Sequence, residues 1–345
     1  MKIHFLIKKI AWFGKYSGYE CLPNYMPESE QFELFMAKPK FTHKLIGKIY
    51  QLIYGWRDKR PNQVWADLNF ISKRNESDIS HILYLDYHFN ILERIKPSEK
   101  KLIGTIHIPI SFWNDKQLKL LPKLKHYIIL YQEEVAKFQQ YAPESTFHVI
   151  KHGVDVDFFS PAKEPQVKRN KVLFIGHYLR NFEMFYNVYQ AIDDKLKGSV
   201  EFHFIIPQSY RNSEWLQKLA GNSNVFFHEK LSDEELLEHY RDSYVMMMPM
   251  NNSGANTAIV QALSVGLPVI TTDVGGIRSH GGGTVFPVVA NNDWQAMTDL
   301  FWKYYENPEY RDQISHDQRV FSVQELNWNV VVKQHIEVYK KVIKG

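Results

Sequence analysis

The chain has 345 residues, 44% hydrophobic and 23% charged, with a formal net charge of +4. That length exceeds what one core usually supports, so two domains are expected, and the composition excludes a disordered chain. A single cysteine, Cys21, excludes an internal disulfide and fits a reducing compartment.

The opening run, Met1 to Phe13, is interrupted by Lys8 and Lys9 and is followed by no small-residue cleavage site, so it makes a poor signal peptide. No apolar stretch is long enough to span a bilayer, which leaves a cytoplasmic protein or one peripheral on the inner face of a membrane as the expectation. Residues 1–160 hold 23 Lys and Arg against 17 Asp and Glu, and the remainder 19 against 21. The basic first half suggests an anionic target: nucleic acid, an acidic membrane or a phosphorylated acceptor.

In chain order, Met1–Ile7, Ile82–Leu85, Lys101–Ile106 and Tyr127–Leu130 read as buried parallel strands. Between the first two lies Lys38 to Arg60, which mixes basic and aromatic residues with Leu45, Ile46, Ile49, Leu52 and Ile53. This segment is expected to be a helix that packs its apolar stripe on its own sheet while the lysines stay wet; a helix lying in a lipid interface is the alternative. The second half repeats the scheme with Val172–Ile175, Val200–Ile206, Val225–His228, Tyr244–Met248 and Val269–Thr272, and with helices starting near Ser232 and Asn256. Such alternation implies two α/β domains, each a doubly wound parallel sheet. The boundary is placed in the Pro- and Lys-rich stretch Ser160 to Arg169, giving domains 1–160 and 161–326. Residues 327–345 close the chain with an amphipathic helix whose stripe is Trp328, Val331, Val332, His335, Ile336, Tyr339 and Val342.

The most informative segment is Met248 to Ile277. A strand ends at Pro249, a polar loop carries Gly254, and a helix opens near Asn256 and stops at Gly266, two residues before Pro268. A loop leading into a helix start points backbone N–H groups and the positive end of the helix dipole at one spot, which suits a diphosphate.

These residues resemble the retaining glycosyltransferases of family 4 (group 1), whose GT-B fold sets two Rossmann-like domains facing across a cleft, with the C-terminal helix crossing back to the first. With Pro249 on the family proline, Gln261-Ala262, Gly266-Leu267-Pro268-Val269, Thr272-Asp273 and Gly275-Gly276 match, while Ser253 and Gln261 stand where the family has two glutamates. His152-Gly153-Val154-Asp155 with Phe159 and Pro161, Phe174-Ile175-Gly176, and Leu231 to Leu236 are similar to further family motifs. Leu231 to Leu236 is also a capping box in its own right.

The resemblance implies transfer of a sugar from a nucleoside-diphosphate sugar to a hydroxyl of a glycan or lipid-linked acceptor, with retention. It implies no metal and no cofactor. Donor-binding candidates are Gly14 and Gly18 in the loop after the first strand, Gly176 and His177 in the glycine turn, Gly254, Ala255, Asn256 and Thr257 at the helix start, and Gln261, which would bond the ribose. An ordinary capped helix and an exposed glutamine are the alternatives for these last two groups. Catalytic candidates are His107, at a strand end where several members place a cleft-facing histidine, Arg180 as the diphosphate partner, and Ser253. A solvated surface arginine and a satisfied strand-end histidine are the plain alternatives. No Cys/His cluster or paired carboxylates at metal-ligand spacing stand out. Closure of the two domains would exclude water. Two rivals remain: a GT-B scaffold that binds nucleotide or glycan without turnover, and a basic nucleic-acid or membrane module, the latter leaving the ordered motifs after residue 150 unexplained.

Overall fold

A computed structural model describes residues 1–10, 13–96, 99–163 and 170–344. The described chain divides into two compact units. The first comprises Met1–Phe13, Ser17–Lys151 and Val331–Gly345, and the second Gly14–Tyr16 and His152–Val330. The sequence had placed the change of domain at Ser160; of that stretch, residues 164–169 lie outside the described residues.

In the first unit the strands are β1 (Lys2–Leu6), β2 (Gln31–Phe35), β3 (Ile79–Ile82), β4 (Glu99–Ile106), β5 (Leu124–Ile129) and β6 (Thr146–Val149). They form one parallel sheet in the order β2-β1-β3-β4-β5-β6. Around it run α1 (Phe41–Tyr54), α2 (Pro61–Lys73), α3 (Leu85–His88), α4 (Asp115–Leu120) and α5 (Val135–Tyr141). The strand expected at Ile82–Leu85 sits three residues earlier, because Leu85 already opens α3. Neither β2 nor β6 was expected. Their exposed and half-exposed residues give no continuous apolar run, as befits sheet edges.

The second unit holds β7 (Lys171–Ile175), β8 (Glu201–Ile205), β9 (Val225–His228), β10 (Val245–Met248), β11 (Val269–Thr272) and β12 (Val288–Val289), ordered β12-β11-β10-β7-β8-β9 and all parallel. Its helices are α6 (Phe182–Leu196), α7 (Glu214–Ala220), α8 (Asp233–Arg241), α9 (Thr257–Val265), α10 (Trp294–Glu306) and α11 (Pro308–Phe321). The five expected strands are present. The two-residue β12 was too short to show. The strands β10 and β11 are buried on both faces, which is why β10 reads as an unbroken apolar run and β11 as β-branched residues throughout. With β8 on one side of β7 and β10 on the other, the strand order reverses there, and an open parallel sheet binds ligands at the carboxyl ends beside such a reversal.

The last helix, α12 (Trp328–Lys344), joins the first unit from Val331 onward. Its expected stripe is buried throughout, and its polar members find partners. Tyr19 donates to His335 Nε2 at 2.6 Å while His335 Nδ1–H donates to the Val331 carbonyl. The Tyr339 hydroxyl meets His81 Nδ1 at 2.7 Å.

Helix α1 overturns an expectation. Its stripe does not pack on the sheet: Phe41 is 79% exposed, Leu52 69% and Ile53 62%, with Leu45 and Ile49 also exposed. The opposite face is the one that packs. There Gly47 lies so close to Pro61 that a Cβ would come within 1.7 Å of the Pro61 carbonyl oxygen, and His43 meets Trp65. A glycine on that face lets α1 and α2 approach closely, and this turns the large apolar side chains outward.

Candidate donor site in the second unit

The site is assembled at the ends of β7 and β10. After β7 the chain turns at Gly176, whose φ of +83° is a conformation that side chains rarely adopt, and reaches Arg180, which bridges Met250 just past β10. The Arg180 guanidinium folds back over this turn. Its Nε donates to the Ile175 carbonyl at 3.0 Å, its Nη1 to the Tyr178 carbonyl at 3.0 Å and to Met250 Sδ at 3.7 Å, and its Nη2 lies over Gly176. Burial lowers its pKa to about 10, which leaves it a cation at neutral pH. Among the described residues no carboxylate pairs with it. The solvated-surface alternative for Arg180 is thereby corrected: it is half-buried and tied to backbone. His177 stacks on Tyr210 with ring centroids 3.5 Å apart, and burial lowers its pKa.

After Pro249, Met250–Asn256 lead into α9. Asn256 caps the helix by accepting from the Ile259 N–H at 3.3 Å, and its Nδ2 donates to Met250 Sδ at 3.3 Å. The same sulfur therefore touches both Arg180 and the helix cap, which brings the cation and the positive end of the α9 dipole together. Helical geometry leaves the first N–H groups of α9, at Thr257 and Ala258, without partners inside the helix. Ser253 is buried and inward: its Oγ donates to the Gly254 carbonyl, and its own carbonyl accepts from the Gly276 N–H at 2.8 Å. Gly275 has to be glycine, since a Cβ there would lie 1.9 Å from the Ser253 oxygen.

Gln261 is only 3% exposed, so the exposed-glutamine alternative is also corrected. The Tyr240 hydroxyl of α8 lies 2.9 Å from Gln261 Oε1 and 3.1 Å from the Ala258 carbonyl, and it donates to them. The amide oxygen of Gln261, the candidate ribose contact, thus already accepts a hydrogen bond.

Ten of the twelve expected site residues belong to the second unit: Gly14, Gly176, His177, Arg180, Ser253, Gly254, Ala255, Asn256, Thr257 and Gln261. Gly14 enters it with Lys15, whose backbone N–H donates to Asp233 at 2.7 Å. Gly18 and His107 lie in the first unit. Gly18 takes a φ of +90°, and His107 is clamped there, stacked on Tyr84 and edge-on to Tyr19. Its Nε2–H donates to the Leu83 carbonyl at 2.6 Å, so Nδ1 is the acceptor nitrogen; burial lowers its pKa to about 4.

Sequence reasoning missed Tyr240 and Met250, which carry no motif, and assigned no role to Gly275 although Gly275-Gly276 stood out. It also saw no histidine cluster, because spacing in the chain hides one: His203, His228 and His239 offer ring nitrogens within 4.8 Å of one another.

Residues 169–307 match the family model described as glycosyl transferases group 1. The MMP alpha-(1->4)-mannosyltransferase of Mycolicibacterium hassiacum is 23% identical over 207 residues, 59% of this chain and 50% of that protein, so the chain spans about half the length of this curated relative. Among solved structures, sucrose-phosphate synthase from Thermosynechococcus elongatus superposes with a TM-score of 0.74 at 13% identity, covering 99% of both chains. Anabaena HepE in complex with UDP-glucose gives 0.72 at 13% identity, covering 99% of this chain and 100% of that one. Two parallel six-stranded sheets with flanking helices are shared with these solved structures, so the chain has the GT-B fold, and its residues 169–307 are similar to the group 1 glycosyl transferases.

Proposed function

We propose that the chain transfers a glycosyl unit from a nucleoside-diphosphate sugar to an acceptor hydroxyl, with retention and without a catalytic metal. The observation that carries this reading is Arg180. A half-buried guanidinium with no carboxylate partner among the described residues costs stability unless an anion completes it. The α9 N-terminus, joined to it through Met250, adds N–H donors and dipole. Together they are placed to hold a diphosphate and to stabilise the charge that builds on it as the glycosidic bond breaks. His107, neutral at pH 7 with Nδ1 as its acceptor nitrogen, is proposed to orient a hydroxyl rather than to act as a strong base.

The test is thermal stabilisation by UDP, GDP and ADP and their sugar conjugates. One nucleotide is expected to raise Tm selectively, and Arg180→Ala to weaken its binding roughly 10–100-fold, the worth of a charge-assisted hydrogen bond. Absence of a shift with every nucleotide overturns the donor site. A second reading, a scaffold that binds without turnover, is favoured by Ser253 and Gln261, which replace both family carboxylates and point their polar atoms inward. A nucleotide-induced shift without hydrolysis or transfer of any matching sugar would select it.

We also propose that the protein works in the cytoplasm against the anionic face of a membrane, where a lipid-linked acceptor would lie. Among the described residues no helix is long and apolar enough to cross a bilayer. Helix α1 instead offers an exposed apolar stripe, and between Glu33 and Asp58 the sequence has no acidic residue while carrying Lys38, Lys40, Lys44, Lys48 and Arg57. An apolar face flanked by lysines matches acidic lipid headgroups above hydrocarbon.

A further inference from the structure

The strands β8 and β9, at the edge of the second sheet away from β10, carry His203 and His228, and α8 brings His239 against them. Their ring nitrogens lie within 4.8 Å of one another, the one such His/Cys/Asp/Glu group among the described residues. The proton positions can be assigned. His203 Nε2 faces the Glu201 carboxylate at 3.1 Å, and because a carboxylate accepts, this nitrogen carries the hydrogen. His203 Nδ1 is then a lone pair, and His228 Nε2–H donates to it at 2.9 Å. The His239 ring lies 4.4 Å from that of His228, centroid to centroid, and its Nδ1 is buried with no hydrogen-bond partner. A buried orphan nitrogen beside a lone pair and a hydrogen-bonded histidine is unusual, since buried polar atoms are nearly always satisfied.

We propose that these three histidines form a divalent transition-metal site, with zinc the fitting ion, water as the fourth ligand, and a bracing rather than catalytic role. The rearrangement is one tautomer change and a closure of the His239 nitrogen from within 4.8 Å of the others to roughly 3.3 Å. Moving the His228 proton from Nε2 to Nδ1 frees the second lone pair, so three neutral imidazoles bind the ion with no net proton released. Zinc–nitrogen bonds of about 2.0–2.1 Å at tetrahedral angles set ligand nitrogens roughly 3.3 Å apart, so His203 and His228 need to open by about 0.4 Å. Glu201 on the far nitrogen of His203 is the outer carboxylate that metal-bound histidines commonly have. Burial favours the neutral form of all three rings. Lys171 and Arg211 add positive potential at the site, and Glu201 and Glu235 oppose it. Three imidazoles suit zinc, nickel or copper and not magnesium. The ion would clip the sheet edge to α8, where Tyr240, the residue after His239, holds Gln261.

The full chain without an affinity tag, stripped with chelator and dialysed, tests this by thermal melting and calorimetric titration with zinc chloride, with magnesium chloride as control. One zinc per chain is expected, with Tm rising by roughly 5 °C or more at a hundredfold excess over Kd, and no response to magnesium. His239→Ala and His203→Ala are expected to abolish the shift, and Glu201→Gln to weaken zinc binding about 10-fold or more. His239 is only half-buried, so its variant, verified as folded by circular dichroism, serves even if His203→Ala does not fold. Absence of a zinc shift, or a shift that survives His239→Ala, overturns the site and leaves a hydrogen-bonded histidine cluster. Nucleotide binding measured on the stripped protein separates this result from the fate of the donor site.

Discussion

Along α12, Val331, Val332, His335, Ile336, Tyr339 and Val342 form an apolar stripe that is buried to the last residue. Along α1, Phe41, Leu45, Ile49, Leu52 and Ile53 form one of similar width, falling within about 120° of arc at 100° per residue, and all five lie in solvent. The two stripes differ in their polar members. That of α12 contains His335 and Tyr339, each matched inside the unit by Tyr19 or His81. That of α1 contains no polar atom at all, and lysines stand beside it. A face that will be buried in protein can carry polar groups, since fixed partners await them. A face for hydrocarbon cannot, and keeps its charges at the rim.

The comparison is most sharply tested in α12. Ile336→Ala is expected to cost about 2–4 kcal/mol, the usual range for truncating a buried aliphatic side chain, read by urea denaturation. A loss below about 0.5 kcal/mol would mean that the α12 stripe is no more embedded than that of α1.

A smaller effect is expected from acid. Burial lowers the His335 pKa from 6.5 to about 4, so between those values the unfolded chain holds a proton that the folded one refuses. Stability therefore falls as pH drops from about 6.5 to 4, by up to about 1.4 kcal/mol per pH unit for this residue, and is insensitive to it above and below that window. His335→Gln should remove that share of the slope, measured by denaturation at pH 7 and pH 5. His81 and His107, also buried and lowered, retain theirs. An unchanged slope would show that His335 is reached by water and is not part of a sealed face.

How much was legible follows from the same physics. Buried strands such as β10 and β11, the Ser232 and Asn256 caps and the α12 stripe were readable because local sequence alone dictates them. The edge strands β2 and β6 depend on neighbours to pair with and gave no local signal. In the site, the α9 start was visible as cap chemistry, and Gly176 through the resemblance of Phe174-Ile175-Gly176 to a family motif. The engagement of Gln261 by Tyr240, and the meeting of Arg180 with Asn256 at Met250, are contacts between distant segments that no spacing rule encodes. The orientation of α1 was misjudged for a related reason. Periodicity reports that a helix has an apolar face, whereas a single Gly47 against Pro61 decides which face meets protein.

The smallest effect on folding is expected where the side chains are most apolar. Leu52→Glu with Ile53→Glu on α1 should leave stability within about 0.5 kcal/mol, because neither side chain gives up protein contacts of the kind that Ile336 makes. The same pair should weaken binding to phosphatidylserine-containing vesicles at least about tenfold, since burying two large aliphatic side chains in lipid is worth a few kcal/mol. Lys44→Glu with Lys48→Glu should keep the stripe but erase the preference for acidic over phosphatidylcholine vesicles, and added salt should do the same to the parent chain. Co-sedimentation reads both. If instead the parent chain ignores vesicles and light scattering shows a dimer that Leu52→Glu dissolves, a second copy of the chain covers this face, and the membrane reading fails while the contrast between α1 and α12 stands.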